Sequence, residues 1–406
     1  MKGAALPRTN PKTIMEATPN LQEIRNNIDA IDDKLVALFE ERMALCAEVA
    51  AYKKQTAKAV YDNSREKAIL ARLTENRNAA DAGAVKLLYN TIFEISRARQ
   101  SALLAAGSAK STALAESLHR ALDAHPVPPV SPVVACQGVE GAYSQIACRK
   151  LFESPQILYF ENFESVFKSV QSGLCRYGVL PFENSIHGSV TEVYDMLSKT
   201  DVSVVKAFKL PIHHALLAKK GAALDGITEI YSHRQAIGQC SDFLAAHRKI
   251  KVNVCENTAK AAKMVAESQR TDIAAISSEN CADLYNLSVL KRDLQNSNIN
   301  FTLFYCISKE LEIYPNVSRA AFMFNIPNRA GSLLEVLARF AAAGINLVKI
   351  ESRPISGKDF EFMFYAEAET AGLDDALTEL FAELAGTLDF FKFIGAYTEL
   401  TPDSAN

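Results

Sequence analysis

Apolar residues in the N-terminal part of the chain recur at intervals of four and three positions, the spacing of one face of a helix. They are Ile24, Ile28, Ile31, Leu35, Leu38, Leu45 and Val49. Arg42 falls where this rhythm calls for another apolar residue. The pattern predicts a helix of about 30 residues, too long to bury its apolar stripe within one small core. Two further helical segments, 64–78 and 84–105, add only a thin layer. We therefore expect a second copy of the chain to cover the stripe in an intertwined dimer or a higher homo-oligomer.

The pattern changes twice further along the chain. Residues 107–132 contain a short alanine-rich helix and the run HPVPPVSP, and they are predicted to form a linker. From 133 to 310, short apolar runs alternate with helical patterns, which predicts an α/β domain of two lobes with a cleft between them. From 318 to 400, the order βαββαβ predicts an α+β ferredoxin-like domain. The protein is therefore expected to be multi-domain, with an all-α domain over 20–106 and a disordered lead over the first twenty residues.

Composition narrows the function classes. The net charge of −3 argues against nucleic-acid binding, which usually brings a basic excess. The eight cysteines are scattered without a C-x-x-C pair, which argues against a metal site or a disulfide framework. We find neither a signal-peptide pattern nor an apolar run long enough to cross a membrane, so a cytoplasmic location is expected.

Cations converge on the helical region. Arg42 lies on the apolar stripe, Arg25 lies beside it and Lys53 closes the same helix. A guanidinium on an apolar face needs an anion or several hydrogen-bond acceptors. The second helix opens with Asp62, Arg65 and Glu66 close together, and the third carries Ser96 and Gln100 one turn apart on its apolar stripe. Three or four cations and two neutral hydrogen-bonding groups in so small a core predict a pocket for a small dicarboxylate.

Taken singly, each of these residues also has a structural explanation. Glu66 would complete a capping box with Asn63 as N-cap, and Arg42 would form a structural ion pair. Ser96 and Gln100 would form a buried hydrogen bond between helices, while the flanking Arg25 and Lys53 would extend their charges to solvent. Only the convergence of all of them favours a binding pocket.

The segments LQEIRNNIDAIDDKLVALFEERMALCAEVAAYK, VYDNSREKAIL and EISRARQ resemble the all-α chorismate mutase family. The resemblance implies a dimer of interlocked helices that rearranges chorismate to prephenate. It implies that Arg25, Arg42, Lys53, Glu66 and Gln100 are catalytic, with Arg25 supplied by the partner subunit. It also implies substrate binding by Asp62, Arg65 and Ser96.

Polar loops follow several strands of the α/β region, in CQGVEGAYSQIA, YGVLPFENSIHGSV, YSHRQAIGQC and ENTAKAA. Helix capping would explain some of them singly. Because strand ends meet at one sheet edge, these loops predict one shared site. The candidate substrate-binding residues are Glu183, Asn184, Ser185, His233, Gln235 and Thr258.

These loops, in order, are similar to the prephenate dehydratase family. The resemblance implies two lobes of the periplasmic-binding-protein type and conversion of prephenate to phenylpyruvate, with no metal or organic cofactor. It implies that Thr302, in the strand NFTLF, is the proton donor; otherwise Thr302 would be an ordinary β-branched strand residue. Leu303 stands where the family carries arginine.

Strand alternation predicts that the side chain at 303 points away from a substrate at Thr302. A bend in the strand would instead mean that the arginine touched substrate and that dehydratase activity is weakened or lost. The region would then serve a chorismate mutase as a regulatory or binding unit. A solute-binding protein of the same two-lobed shape is a second alternative, which the fused helical region disfavours.

The stretch IPNRAGSLLEVLARFAAAGINLVKIESRP resembles the ACT regulatory domain. That resemblance implies a phenylalanine site at a dimer interface, formed by Asn328, Gly331, Ser332, Leu333, Glu351, Ser352 and Arg353. In the order found here, the three regions together resemble the bifunctional P-protein family of phenylalanine biosynthesis. Its expected small-molecule partners are chorismate, prephenate and phenylalanine.

Overall fold

The computed structural model describes residues 20–56, 58–297, 299–329, 331–355 and 361–402. The disordered lead predicted for the first residues lies outside this part, apart from residue 20. The chain divides into two compact units, Met1–Leu104 and Ala105–Asn406.

The first unit is helical, as its apolar spacing predicts. It consists of α1 (Leu21–Thr56), α2 (Asn63–Thr74) and α3 (Ala79–Ala105). At 1.5 Å per residue, the 36 residues of α1 extend about 54 Å. The seven apolar residues of its stripe are 42% to 63% exposed, so a single chain leaves this face uncovered.

The second unit begins with a helix, continues as alternating strands and helices, and ends in a smaller sheet. Its helices are α4 (Ala109–Asp123), α5 (Tyr143–Leu151), α6 (Phe163–Gln171), α7 (Thr191–Lys199), α8 (Arg234–Gln239), α9 (Ser241–Ala246), α10 (Thr258–Glu267), α11 (Asn280–Leu284), α12 (Ser332–Ala342) and α13 (Asp375–Thr387), with a 3₁₀ turn at Leu224–Gly226. Its strands are β1 (Val133–Gln137), β2 (Gln156–Phe160), β3 (Tyr177–Asn184), β4 (Gly188–Ser189), β5 (Ser203–Pro211), β6 (Ala215–Lys219), β7 (Glu229–His233), β8 (Lys251–Cys255), β9 (Ile273–Ser277), β10 (Leu287–Lys291), β11 (Phe301–Ser308), β12 (Arg319–Asn325), β13 (Leu347–Pro354), β14 (Phe362–Glu369), β15 (Phe391–Tyr397) and β16 (Glu399–Leu400).

Two of the three sheets form the predicted lobes. The first has the order β16-β5-β11-β3-β1-β2, with β4 paired to β3, and the second has the order β10-β6-β9-β7-β8. The chain passes between them twice, at 212–214 and at 292–300. Backbone hydrogen bonds tie the two crossings together: Ile212 N donates to Asn300 O at 2.8 Å, and Leu294 N donates to His214 O at 2.9 Å. The lobes therefore meet at a hydrogen-bonded double crossing.

The third sheet has the strand order β13-β14-β12-β15. Together with α12 and α13, its strands follow one another along the chain in the predicted βαββαβ order. Its helices α12 and α13 pack on a core that includes Phe322, Phe340 and Phe381. The helix α4 joins that core through Leu118, which is fully buried. Part of the segment that the sequence predicted as a linker thus belongs to the ferredoxin-like domain, because α4 has its own apolar face.

The other side of the third sheet packs directly on the first. Tyr305 of β11 lies 2.7 Å, between hydroxyl oxygens, from both Tyr365 and Tyr397, and it donates to the buried Glu367 carboxylate at 2.7 Å. A Cβ atom at Gly395 would lie 2.0 Å from the Val204 carbonyl oxygen, so only glycine permits this approach of the two backbones. After β15 the chain returns to the first sheet, where β16 pairs with β5.

Within the described ranges, the helices are all too short or too polar to cross a membrane. All eight cysteines are free thiols.

Candidate active sites

Arg42 of α1 reaches across to α3. Its Nη1 donates to the Ser96 hydroxyl, and its guanidinium carbon lies 5.9 Å from the centre of the Phe93 ring. Its other polar contact in the described part of the chain is the Cys46 thiol at 3.9 Å. Neither partner is a carboxylate, so the cation on the apolar stripe is held by the protein without being neutralised.

Lys53, one turn before the end of α1, also meets α3. Its Nζ donates to Gln100 Oε1 at 3.1 Å and to the Val60 carbonyl oxygen. Because Gln100 accepts through its oxygen, its amide hydrogens remain available to a guest. Burial lowers the pKa of Lys53, although the nearby Asp62 and Glu66 carboxylates act in the opposite direction.

Asp62 is the N-cap of α2, where its carboxylate accepts from Arg65 N at 3.0 Å and from the Ser64 hydroxyl at 2.7 Å. The capping box with Asn63 as N-cap is therefore not formed, because the cap lies one residue earlier. Both of these bonds go to Oδ1 of Asp62, and its role as a substrate ligand stays a prediction.

Glu66 forms an ion pair with Arg97 of α3, which also pairs with Glu94. The Arg97 guanidinium carbon lies 5.2 Å from the centre of the Tyr61 ring. Arg97 was not predicted from the sequence, although it directly follows Ser96 and lies one turn before Gln100.

Two predicted residues lie apart from this cluster. Arg65 is exposed on α2. Arg25 is exposed on α1, 17 residues before Arg42, which corresponds to about 26 Å along the helix. No arginine side chain spans that distance, so Arg25 cannot reach the Arg42 cluster of its own chain.

A cavity of about 430 Å³ lies between the lobes of the second unit. The structure brings five of the predicted residues to its wall: Asn184, His233, Gln235, Thr258 and Thr302. They come from the tip of β3, the turn between β7 and α8, the start of α10, and β11. His233 caps α8, with its Nδ1 accepting from Gln235 N at 3.4 Å, and burial lowers its pKa.

Asn184 holds Thr302 in a defined orientation. Its Nδ2 donates to Thr302 Oγ1 at 3.0 Å, while its Oδ1 accepts from the backbone N–H groups of Ile186 and His187, both at 3.1 Å. The amide therefore cannot be reversed. Because the Thr302 oxygen is the acceptor, its own proton is left for a group in the cavity.

The opposite face of β3 and β11 holds the other predicted residues. Leu303 lines a separate cavity of about 220 Å³ with Glu183 and Ser185, whereas Thr302 and Phe304 line the cleft. The Leu303 side chain thus points away from the cleft, as strand alternation predicted. The pairing of β11 with β3 shifts register between Leu303 and Phe304.

Glu183 and Ser185 differ from the prediction for the same reason. Glu183 and Asn184 are neighbours on one strand, so their side chains point to opposite faces. Glu183 pairs with Lys349 of β13, and the Ser185 hydroxyl donates to the Ile299 carbonyl oxygen at 2.9 Å. In this arrangement neither side chain lines the cleft cavity.

Three buried polar residues were not predicted from the sequence: His214 and Gln239, which line the cavity, and Asn300. Burial lowers the pKa of His214. The three lie far apart in the sequence, in stretches that read as ordinary strand ends and a helix.

The predicted regulatory residues occupy two places in the third sheet domain. Gly331, with φ +90°, precedes α12, which begins with the buried Ser332 and Leu333, and Asn328 lies in the loop before it. Glu351, Ser352 and Arg353 lie on β13.

The strand β13 contacts the wall of the cleft. Glu351 Oε2 accepts from the Ser189 hydroxyl at 2.6 Å, and Arg353 Nη1 donates to the Thr191 hydroxyl at 3.1 Å. Ser189 itself lines the cleft cavity.

Comparison with known proteins places these sites in families. Family profiles match in order: Chorismate mutase type II over residues 24–101, Prephenate dehydratase over 134–312 and ACT domain over 322–385. A bifunctional chorismate mutase/prephenate dehydratase of Enterobacter agglomerans is 32% identical over 385 residues, covering 93% of this chain and 95% of its own length.

Among solved structures, the prephenate dehydratase of Arthrobacter aurescens in complex with L-Phe is 25% identical, with a TM-score of 0.60, over 66% of this chain and 90% of its own. A structure described as a quorum-quenching acylase, GqqA, is 26% identical with the same TM-score, over 66% of this chain and 98% of its own. Since one fold carries two described activities, the chemistry must be argued from the site. The full-length relative and the three matched domains, in the same order, show that this chain belongs to the bifunctional chorismate mutase/prephenate dehydratase family.

Proposed function

We propose that the helical unit rearranges chorismate to prephenate and that the cleft converts prephenate to phenylpyruvate. Prephenate is the product of the first reaction and the substrate of the second, so one chain would carry both consecutive steps. The observation that carries the dehydratase assignment is the Asn184–Thr302 hydrogen bond in the wall of the cavity between the lobes.

The mutase reaction is a concerted pericyclic shift, which needs neither a nucleophile nor a proton shuttle. The pocket has to hold a dianion in its compact form and stabilise the charge that develops on the ether oxygen. Arg42 is available to a carboxylate because its contacts are not carboxylates. Lys53 and Gln100 would donate to the ether oxygen, and Glu66, fixed by Arg97, would accept from the hydroxyl.

The mutase site requires a dimer. The apolar stripe of α1 is exposed in the single chain, and Arg25 lies about 26 Å along the helix from Arg42. A second α1 packed on the stripe would bury both stripes and bring the partner's Arg25 to the Arg42 cluster. Arg65 would complete the set of carboxylate ligands at the open side.

In the cleft, Thr302 would act as general acid. The bond between the ring carbon and its carboxylate breaks, its electron pair enters the ring, and the ring hydroxyl leaves with the Thr302 proton as water. Carbon dioxide is the second product, and the ring becomes aromatic, so a weak acid suffices. His233, Gln235 and Thr258 would bind the substrate at the opposite wall, while the Thr302 oxygen would recover its proton from solvent.

The test is formation of phenylpyruvate from prephenate by the wild-type protein and by Leu303→Arg. We expect turnover by the wild type, with Leu303→Arg within about threefold of it, because position 303 faces away from the cleft. Turnover by Leu303→Arg alone would instead favour the alternative of a mutase with an inactive dehydratase region.

Phenylalanine is the proposed feedback inhibitor of the dehydratase. The loop with Asn328 and Gly331 would bind it together with Glu351 to Arg353 of β13 from a second subunit, since Val348 and Ile350 leave that edge strand with exposed apolar side chains. Binding would reach the cleft through the Glu351–Ser189 hydrogen bond. The cytoplasm is the proposed compartment, which the eight free thiols support.

The mutase should show an alkaline limb in its pH dependence. Burial lowers the pKa of Lys53 from its ordinary value of 10.5, and only the protonated amine donates to the ether oxygen. As pH rises through this lowered pKa, kcat/KM for chorismate should fall, because that ratio reports the free enzyme. A profile of Lys53→Arg from pH 7 to 11 is the control, since arginine stays charged over that range. An alkaline limb of equal position in both proteins would contradict this role of Lys53.

A further inference from the structure

We propose that His214, Gln239 and Asn300 are positioning residues of the dehydratase, which act through Asn184 on Thr302. The inference rests on the proposed function, because it concerns the proton that Thr302 would donate. Its basis is a continuous series of hydrogen bonds from His214, on the first crossing between the lobes, to the Thr302 hydroxyl in the cleft.

Followed from Thr302, the hydrogen bonds allow only one assignment of donors and acceptors. Asn184 must present Nδ2 to Thr302, since its Oδ1 is occupied by two backbone N–H groups. The same Nδ2 lies 3.0 Å from Asn300 Oδ1 and 3.0 Å from the Phe301 carbonyl oxygen, so its two hydrogens are shared among three acceptors. Asn300 therefore accepts from Asn184 through its oxygen, which leaves its own amide nitrogen to face the other way.

Asn300 is only 2% exposed, and its orientation determines the orientation of the next amide. Its Nδ2 donates to Gln239 Oε1 at 3.0 Å. The same oxygen lies 2.8 Å from His214 Nε2, and an amide oxygen can only accept, so Nε2 carries a proton. Reversal of either amide would place two acceptors or two donors against each other.

His214 ends the chain. It is 2% exposed, and burial lowers its pKa, which disfavours the charged ring. Its Nδ1 lies 3.1 Å from the Tyr143 hydroxyl, which donates its proton to the His213 carbonyl oxygen at 2.5 Å. The proton on Nε2 of His214 matches the direction of the Gln239 and Asn300 amides, and these two residues link His214 to Asn184.

The chain follows the double crossing between the lobes. His214 lies on the first crossing, Asn300 on the second, and Gln239 ends α8 of the second lobe. Both crossings are therefore tied to the amide that orients Thr302. With its oxygen occupied by Asn184, Thr302 can direct its proton only toward the cavity, and loss of the chain would release this constraint.

The experiment compares Asn300→Leu, His214→Leu and His214→Gln in the full chain, with kcat and KM measured for phenylpyruvate formation. We expect each leucine variant to lower kcat by about 10- to 100-fold with KM within about threefold, because the proposed substrate ligands His233, Gln235 and Thr258 stay in place. His214→Gln supplies an amide N–H near the position of Nε2 and should recover kcat to within about fivefold of wild type. Asn296→Leu, a nearby exposed asparagine bonded to Ser241, is the matched control and should leave kcat unchanged.

Combination with Thr302→Val separates positioning from a general need of the fold. If the series of hydrogen bonds acts through Thr302, Asn300→Leu should lower kcat less than about threefold further in a protein that already carries Thr302→Val. Mutase turnover of the same preparations reports whether the polypeptide remains intact. Additive losses, an unchanged kcat in the leucine variants, or a loss that His214→Gln fails to recover would each overturn the inference. Absence of phenylpyruvate formation by wild type would instead remove the proposed function on which it rests.

Discussion

Replacement of Arg42 by alanine is expected to lower mutase kcat/KM by about 10²- to 10³-fold and to leave dehydratase turnover unchanged. The guanidinium lies on an apolar stripe, held by Ser96 and positioned over Phe93. Its loss would remove a charge-assisted contact to a carboxylate of the substrate in a site where little water can substitute. Consumption of chorismate measures the effect, with Arg99→Ala, an exposed arginine on α3, as the matched control.

Mixing two inactive variants tests whether the site is shared between subunits. Arg42→Ala and Arg25→Ala chains should each be inactive as mutases. In a mixed dimer, one site would then lack both arginines and the other would be complete. After refolding together, about a quarter of wild-type activity should return if subunits pair at random. No recovery, with both chains folded and dimeric, would mean that each pocket uses its own Arg25 or none.

Replacement of Thr302 by valine should lower dehydratase kcat by about 10²- to 10⁴-fold, the range for loss of a general acid. Valine preserves the shape and the strand preference of β11 but has no proton to donate. Thr302→Ser keeps the hydroxyl and should retain most of the turnover. Phenylpyruvate formation is the measurement, and mutase turnover of the same chain is the internal control. A Thr302→Val protein with wild-type turnover would exclude Thr302 as the acid.

Apolar spacing was enough to predict the helices of the first unit and the order of strands and helices in the second. The long α1 stripe, for example, encodes its own secondary structure within consecutive residues. The alternation rule also predicted the direction of Leu303. The same rule places the side chains of Glu183 and Asn184 on opposite faces of β3. Both were nevertheless predicted as substrate ligands, because they are neighbours in the sequence.

Other features depend on contacts that no local pattern records. Asp62 and Asn63 are both good N-cap residues, and only the folded backbone selects between them. The partnership of Glu66 with Arg97 depends on how α2 packs against α3. His214, Gln239 and Asn300 become a chain only because the two crossings between the lobes bring distant segments together.

The return of the polypeptide to the first sheet after β15 has a consequence for how a sensor can signal. With β16 paired to β5 and the Gly395 backbone against Val204, the effector-binding domain is anchored to the catalytic lobe at both its start and its finish. It cannot move independently, as a domain on a flexible linker does. A signal from it therefore has to pass through strands that are already packed together, and truncation of the chain before Glu399 would remove the strand that pairs with the outer edge of β5.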